Sequence, residues 1–128
     1  MNNKGKFIVV LVFCLLTIAV LIIGCYTTST SSKPRLEVGE GGIIACGGSI
    51  CAIAASEQAW REHRKAMRAN DTYGGAALMM SGQLFTVEKG TKALVIDYNP
   101  ATALSRVRIL EGKGIGLAGW VPYENITK

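Results

Sequence analysis

Leu117-Ala118-Gly119-Trp120-Val121-Pro122-Tyr123-Glu124-Asn125-Ile126-Thr127 is the stretch that decides the fold. Leu117 to Val121 reads as a strand, Pro122 to Asn125 has the composition of a tight turn, and Ile126 opens a last short strand. Gly119 lets the strand bend, Trp120 spreads across a small sheet wall, and Pro122 starts the turn to the closing strand. A strand, a turn and a return packed into eleven residues demand a small, sharply curved sheet.

Working back towards the N-terminus, the same period of two recurs. Glu111-Gly112-Lys113-Gly114 is a hairpin turn, and Ser105 to Leu110 alternates, with Val107 and Ile109 on one side and Arg106 and Arg108 on the other. Asn99-Pro100 breaks the strand Lys92 to Tyr98, whose centre is Ala93-Leu94-Val95-Ile96. Glu88-Lys89-Gly90 turns out of a short strand at Leu84 to Val87. Five short strands in so few residues cannot form a sandwich. They predict a five-stranded β-barrel over residues 82–128.

Gly90-Thr91, Val95-Ile96-Asp97, Val107-Arg108-Ile109-Leu110-Glu111-Gly112 and above all Gly119-Trp120-Val121-Pro122-Tyr123-Glu124 resemble bacterial SH3-like domains. The resemblance covers Leu84 to Thr127 and implies a peptide- or cell-wall-binding module. It departs from proline-recognising SH3 domains in lacking the aromatic-rich first loop, paired tryptophans and a cluster of acids. The binding face expected on the barrel comprises Tyr98 and Tyr123 with the Arg106/Arg108 edge, because aromatics beside arginines concentrate interface energy. The alternative is that the aromatics only close the barrel.

Upstream, residues 46–81 read as helical. Ala52 to Asn70 places Ile53, Ser56, Trp60, His63 and Met67 on one arc with Ala52, Ala55, Ala59 and Ala66. Arg61, Arg64, Lys65 and Arg68 fall opposite, with Glu57 four residues before Arg61 and Ser49 as the expected N-cap. The basic side reads as a solvated face, or as a contact with anionic lipid or peptidoglycan. His63 reads as a packed, hydrogen-bonded histidine. Asp71 is the expected N-cap of a short second helix from Thr72 to Met80, closed by Gly82. The expected class is therefore α+β: an N-terminal anchor segment, a tether, an amphipathic helix with a short helix, then the barrel.

The first 24 residues have a different composition. Lys4 and Lys6 precede a run from Phe7 to Ile23 in which Thr17 alone is not apolar. A positive start before a greasy run is an export signal, since the cations stay on the cytoplasmic side. The run ends in Ile22-Ile23-Gly24-Cys25, which resembles the lipobox of bacterial lipoproteins and implies a signal peptide at 1–24 with lipidation of the Cys25 thiol. An uncleaved membrane helix and an ordinary secretory signal are the competing readings of the run alone. Ile43-Ile44-Ala45-Cys46 has the same pattern but no apolar run before it. Residues 25–45, with Thr27 to Ser32, Pro34 and several glycines, read as a flexible tether. Of four cysteines, Cys14 leaves with the signal and Cys25 carries lipid. The remaining pair, in an oxidising compartment, points to a Cys46–Cys51 disulfide, with two thiols as the alternative.

The chain of 128 residues has 14 Lys and Arg against 9 Asp and Glu, and Lys4 and Lys6 leave with the signal. The small remaining excess argues against nucleic acid as a partner. No metal and no cofactor beyond the lipid on Cys25 is expected. His63 is the single histidine, and no nucleophile–base pair or paired carboxylates can be read, so no enzymatic activity is expected. The expected protein is a lipid-anchored module of the bacterial cell envelope with an envelope protein or peptidoglycan as partner. The alternative is an accessory subunit of an envelope complex that docks through its basic helix. Tyr26, in place of an aspartate after Cys25, favours the outer membrane facing the periplasm over the inner membrane.

Overall fold

The computed structural model describes residues 33–128, so the expected signal peptide, Cys25 and residues 26–32 of the tether lie outside the described residues. In chain order the elements are β1 (Gly41–Ile44), β2 (Ile50–Ala54), α1 (Glu57–Arg68), α2 (Thr72–Met80), β3 (Leu84–Glu88), β4 (Lys92–Asn99), β5 (Leu104–Ile109), β6 (Ala118–Pro122), a 3-10 turn (Tyr123–Asn125) and β7 (Ile126–Thr127). The class is α+β. All strand pairs are antiparallel, in the order β3-β2-β6-β5-β4-β1-β7.

This sheet differs from the expected five-stranded barrel in two ways. It has seven strands, and it is open, with β3 and β7 at its edges. The extra strands come from segments read as tether and helix. Gly41–Ile44 sits between β4 and β7, where Gly42 faces Ala93 and Ile44 faces Ile126. No side chain fits at Gly42: a Cβ there would strike Leu36 Cδ1 and come within 2.7 Å of the Thr127 carbonyl oxygen. Ile50–Ala54 pairs along its whole length with β3, so the helix starts later than its alanines suggest. Ser56, not Ser49, is the N-cap, its hydroxyl accepting from the Ala59 N–H at 3.1 Å. The second helix matches expectation, with Asp71 accepting from Gly74 N–H at 2.8 Å and Gly82 in the left-handed region just beyond it.

The pleat sorts the side chains. Ile44, Cys51, Ile53, Val87, Ala93, Val95, Val107, Ile109, Val121 and Ile126 form one buried core, which Leu36 joins from the expected tether. Each such branched side chain contributes about 1.5–3 kcal/mol on burial. The opposite face of β2 and β3 offers Ala54 and Leu84 to Ala59 of α1, with Trp60 and Leu78 at the margin. Small residues on β2 are what let α1 lie close against the sheet.

Candidate functional site

Two aromatic side chains distant in sequence meet at one end of the sheet. The rings of Tyr98 and Tyr123 pack edge to face, 6.5 Å between centroids. Tyr98 comes from the end of β4 and Tyr123 from the 3-10 turn, whose N–H donates to the Ala103 carbonyl at 3.2 Å. Arg35 lies over the Tyr98 ring at 3.9 Å from its centroid, within cation–π range. Lys33 donates to the Glu124 carbonyl at 3.0 Å, and buried Leu36 fixes the segment between them. Residues 33–36 thus complete the aromatic cluster. Arg35 was hidden in the sequence because Pro34-Arg35-Leu36 follows a serine–threonine stretch. Leu36 was the one apolar signal there.

The arginines expected beside these tyrosines lie elsewhere. A register shift in the β4–β5 ladder between Val95 and Asp97 places Ile96 as an extra residue. Before it, Val95 faces Val107 in the core; after it, Asp97 faces Arg106 and Tyr98 faces buried Ser105. The bulge inverts the alternation and turns Tyr98 to the core side. Arg106 and Arg108 stay on the other face, exposed, opposite Trp120 and Ala118 of β6. The expected four-residue face is therefore two separate surfaces. Tyr98 and Tyr123 form one, and Arg106 and Arg108 the other.

Cys46 and Cys51 form a disulfide, with Cα atoms 5.7 Å apart, joining the loop before β2 to the core through buried Cys51. The basic residues Arg61, Arg64, Lys65 and Arg68 of α1 are exposed, and Lys65 pairs with Glu62 at 2.9 Å. Glu57 does not pair with Arg61. Its carboxylate accepts from the Asn99 side chain at 2.9 Å and from Thr102 Oγ1 at 3.2 Å, pinning the start of α1 to the β4–β5 turn.

His63 packs beside Trp60, ring centroids 5.5 Å apart. Its Nδ1 is buried but has no hydrogen-bond partner among the described residues, so the expected hydrogen-bonded histidine is only half right. Burial holds its imidazole below the usual histidine range. Among the described residues no three His, Cys, Asp or Glu side chains cluster as a metal site, and no helix is long and apolar enough to cross a membrane. Comparison of the chain with family models, curated proteins and solved structures returned no match.

Proposed function

We propose that the chain is a lipoprotein of the bacterial cell envelope, anchored through lipid on Cys25, whose domain is a non-catalytic SH3-like module that binds an envelope protein or peptidoglycan. The anchor reading is supported by the lysine start, the apolar run and the lipobox. The SH3-like reading is supported by the Gly119-Trp120-Val121-Pro122 motif leading through a 3-10 turn into a closing strand. The non-catalytic reading is supported by the consumption of Cys46 and Cys51 in a disulfide, and by a single His without a nucleophile beside it in the sequence.

One observation carries the choice of working surface: Tyr98 and Tyr123 converge, half-buried, with Arg35 across one ring. This is the mixture of rigid aromatic area and guanidinium that dominates interface energies. Replacing Tyr98 and Tyr123 by Ala together should abolish crosslinking of the chain to its envelope partner, whereas Arg106→Ala with Arg108→Ala should leave it intact. The reverse outcome would move the working surface to the other face of the sheet.

A second reading keeps the anchor but places the contact on α1, as in an accessory subunit of an envelope complex. It is favoured by Arg61, Arg64 and Arg68, which ion-pair with no acid among the described residues. Crosslinks lost only on replacing these three and Lys65 would select it. Placement in the outer membrane facing the periplasm rests on Tyr26 after Cys25, and sucrose-gradient fractionation separates it from the inner membrane.

A further inference from the structure

The second helix is apolar and yet buries nothing. Thr72–Met80 carries no charged side chain, and none of its residues is buried. An apolar helix in a globular domain ordinarily hides a side in the core, but α2 gives only Leu78 to the margin of the cluster beneath it. Tyr73 and Met80 are 88% and 89% exposed, and their spacing of seven puts them on one side of the helix. Met79, next in sequence to Met80, lines the groove between the helices together with Ala76 and with Met67 of α1, itself 70% exposed. Beside this surface stand two cations. Arg64 and Arg68 are four residues apart on an exposed side of α1 that borders Met67. No acid among the described residues ion-pairs with either. The neighbouring acids are otherwise engaged: Glu62 by Lys65, Glu57 by Asn99 and Thr102, and Asp71 in capping α2.

We propose that this surface docks on an anionic lipid bilayer. Tyr73, Met79, Met80 and Met67 would enter the boundary between headgroups and acyl chains, and Arg64 and Arg68 would take lipid phosphates. The charge and the apolar area together choose the occupant. A glycan offers no hydrocarbon to methionine. A second copy offers the same apolar surface, but with the same guanidiniums beside it. An anionic bilayer supplies both hydrocarbon and negative charge. Tyrosine suits that boundary because its ring is apolar and its hydroxyl wet, and unbranched methionine adapts to mobile chains. At 1.5 Å per residue α2 is about 13 Å long, too short to cross a bilayer, so it would lie along the surface. The inference depends neither on lipid at Cys25 nor on the Tyr98–Tyr123 face.

The test places the full chain in nanodiscs of phosphatidylcholine, with or without phosphatidylglycerol, that contain a lipid bearing a nitroxide on its acyl chain. Carbon-13 methyl labels on methionine and isoleucine report the approach. With phosphatidylglycerol present, the Met67, Met79 and Met80 methyls should broaden, while Ile115, also exposed but on the loop between β5 and β6, should not. Without phosphatidylglycerol the broadening should fall away. Arg64→Gln with Arg68→Gln should weaken docking roughly tenfold, the scale expected of two basic groups at an anionic surface. Arg64→Lys with Arg68→Lys should retain it. Both positions are exposed, so the spectrum of the folded domain should persist in each variant. Absence of broadening, equal broadening at Ile115, or broadening indifferent to phosphatidylglycerol would overturn the proposal. So would methionine shifts that grow with protein concentration in detergent alone, which would assign the surface to a second copy.

Discussion

At Gly119 the sheet leaves no room for a side chain. A Cβ there would lie 2.6 Å from Ile53 Cγ2 and 2.7 Å from the Ala54 carbonyl oxygen, both belonging to the strand paired with β6. Gly119→Ala must therefore push β2 and β6 apart, and should cost about 1–3 kcal/mol, read as a lowered urea midpoint at unchanged slope. His63 gives a second expectation. Its folded pKa is depressed by burial, so the unfolded chain binds its proton more readily. Its neutral state supports full stability above the unfolded value of about 6.5. That support falls away as the pH drops towards the folded pKa. His63→Gln should flatten this acid-side decline in thermal melts between pH 7 and pH 5; an equal decline in both proteins would assign it to other groups.

At the scale of elements, what could be read depended on whether local pattern and tertiary demand agreed. They agree from β3 onwards: alternation in Leu84 to Val87, Lys92 to Tyr98 and Ser105 to Leu110 lies within a residue or so of the observed strands. They conflict in β2, where Ala52 and Ala54 favour a helix by propensity but are used as small residues beneath α1. In β1, Gly41-Gly42 carries no strand signal, although Gly42 is required there because Leu36 and β7 leave no room for a side chain.

The site suffered from one bulge. Nothing in Val95-Ile96-Asp97-Tyr98 announces the extra residue, yet it decides which face Tyr98 joins. The cysteine pairing, by contrast, was legible once the export reading had set Cys14 and Cys25 aside. Breaking that disulfide with Cys46→Ala and Cys51→Ala should cost less than about 3 kcal/mol, because the ring it closes is short. Glu57→Ala, which leaves Asn99 and Thr102 without their acceptor, should cost about 1–2 kcal/mol. It should also raise amide exchange in the first turn of α1.

For the whole molecule, the strand order ties residues 82–128 to the two strands that precede α1. β3 pairs only with β2, and β7 only with β1. A fragment starting at Gly82 would have two strands with no ladder neighbour and would lose Leu36, Ile44, Cys51 and Ile53 from its core. It should be unfolded by circular dichroism, whereas residues 33–128 should melt cooperatively. A folded 82–128 fragment would mean that the segment before α1 is dispensable.

From Lys33 onwards the chain reaches the aromatic cluster through Arg35, and Leu36 joins the core. Residues 33–36 are therefore part of the proposed binding surface. Cys25→Ala should abolish labelling by a palmitate analogue while leaving the melting of the domain unchanged.

In the proposed function, the anchored module works through the Tyr98–Tyr123 face. Its most direct test is photocrosslinking in intact cells, with a photoreactive phenylalanine analogue at position 123 and, separately, at positions 64 and 108. Position 123 should give a discrete adduct with an envelope protein or peptidoglycan that disappears in Arg35→Ala and in Cys25→Ala, and position 108 should give none. An adduct from position 64 or 108 with none from 123 would contradict this face as the working surface.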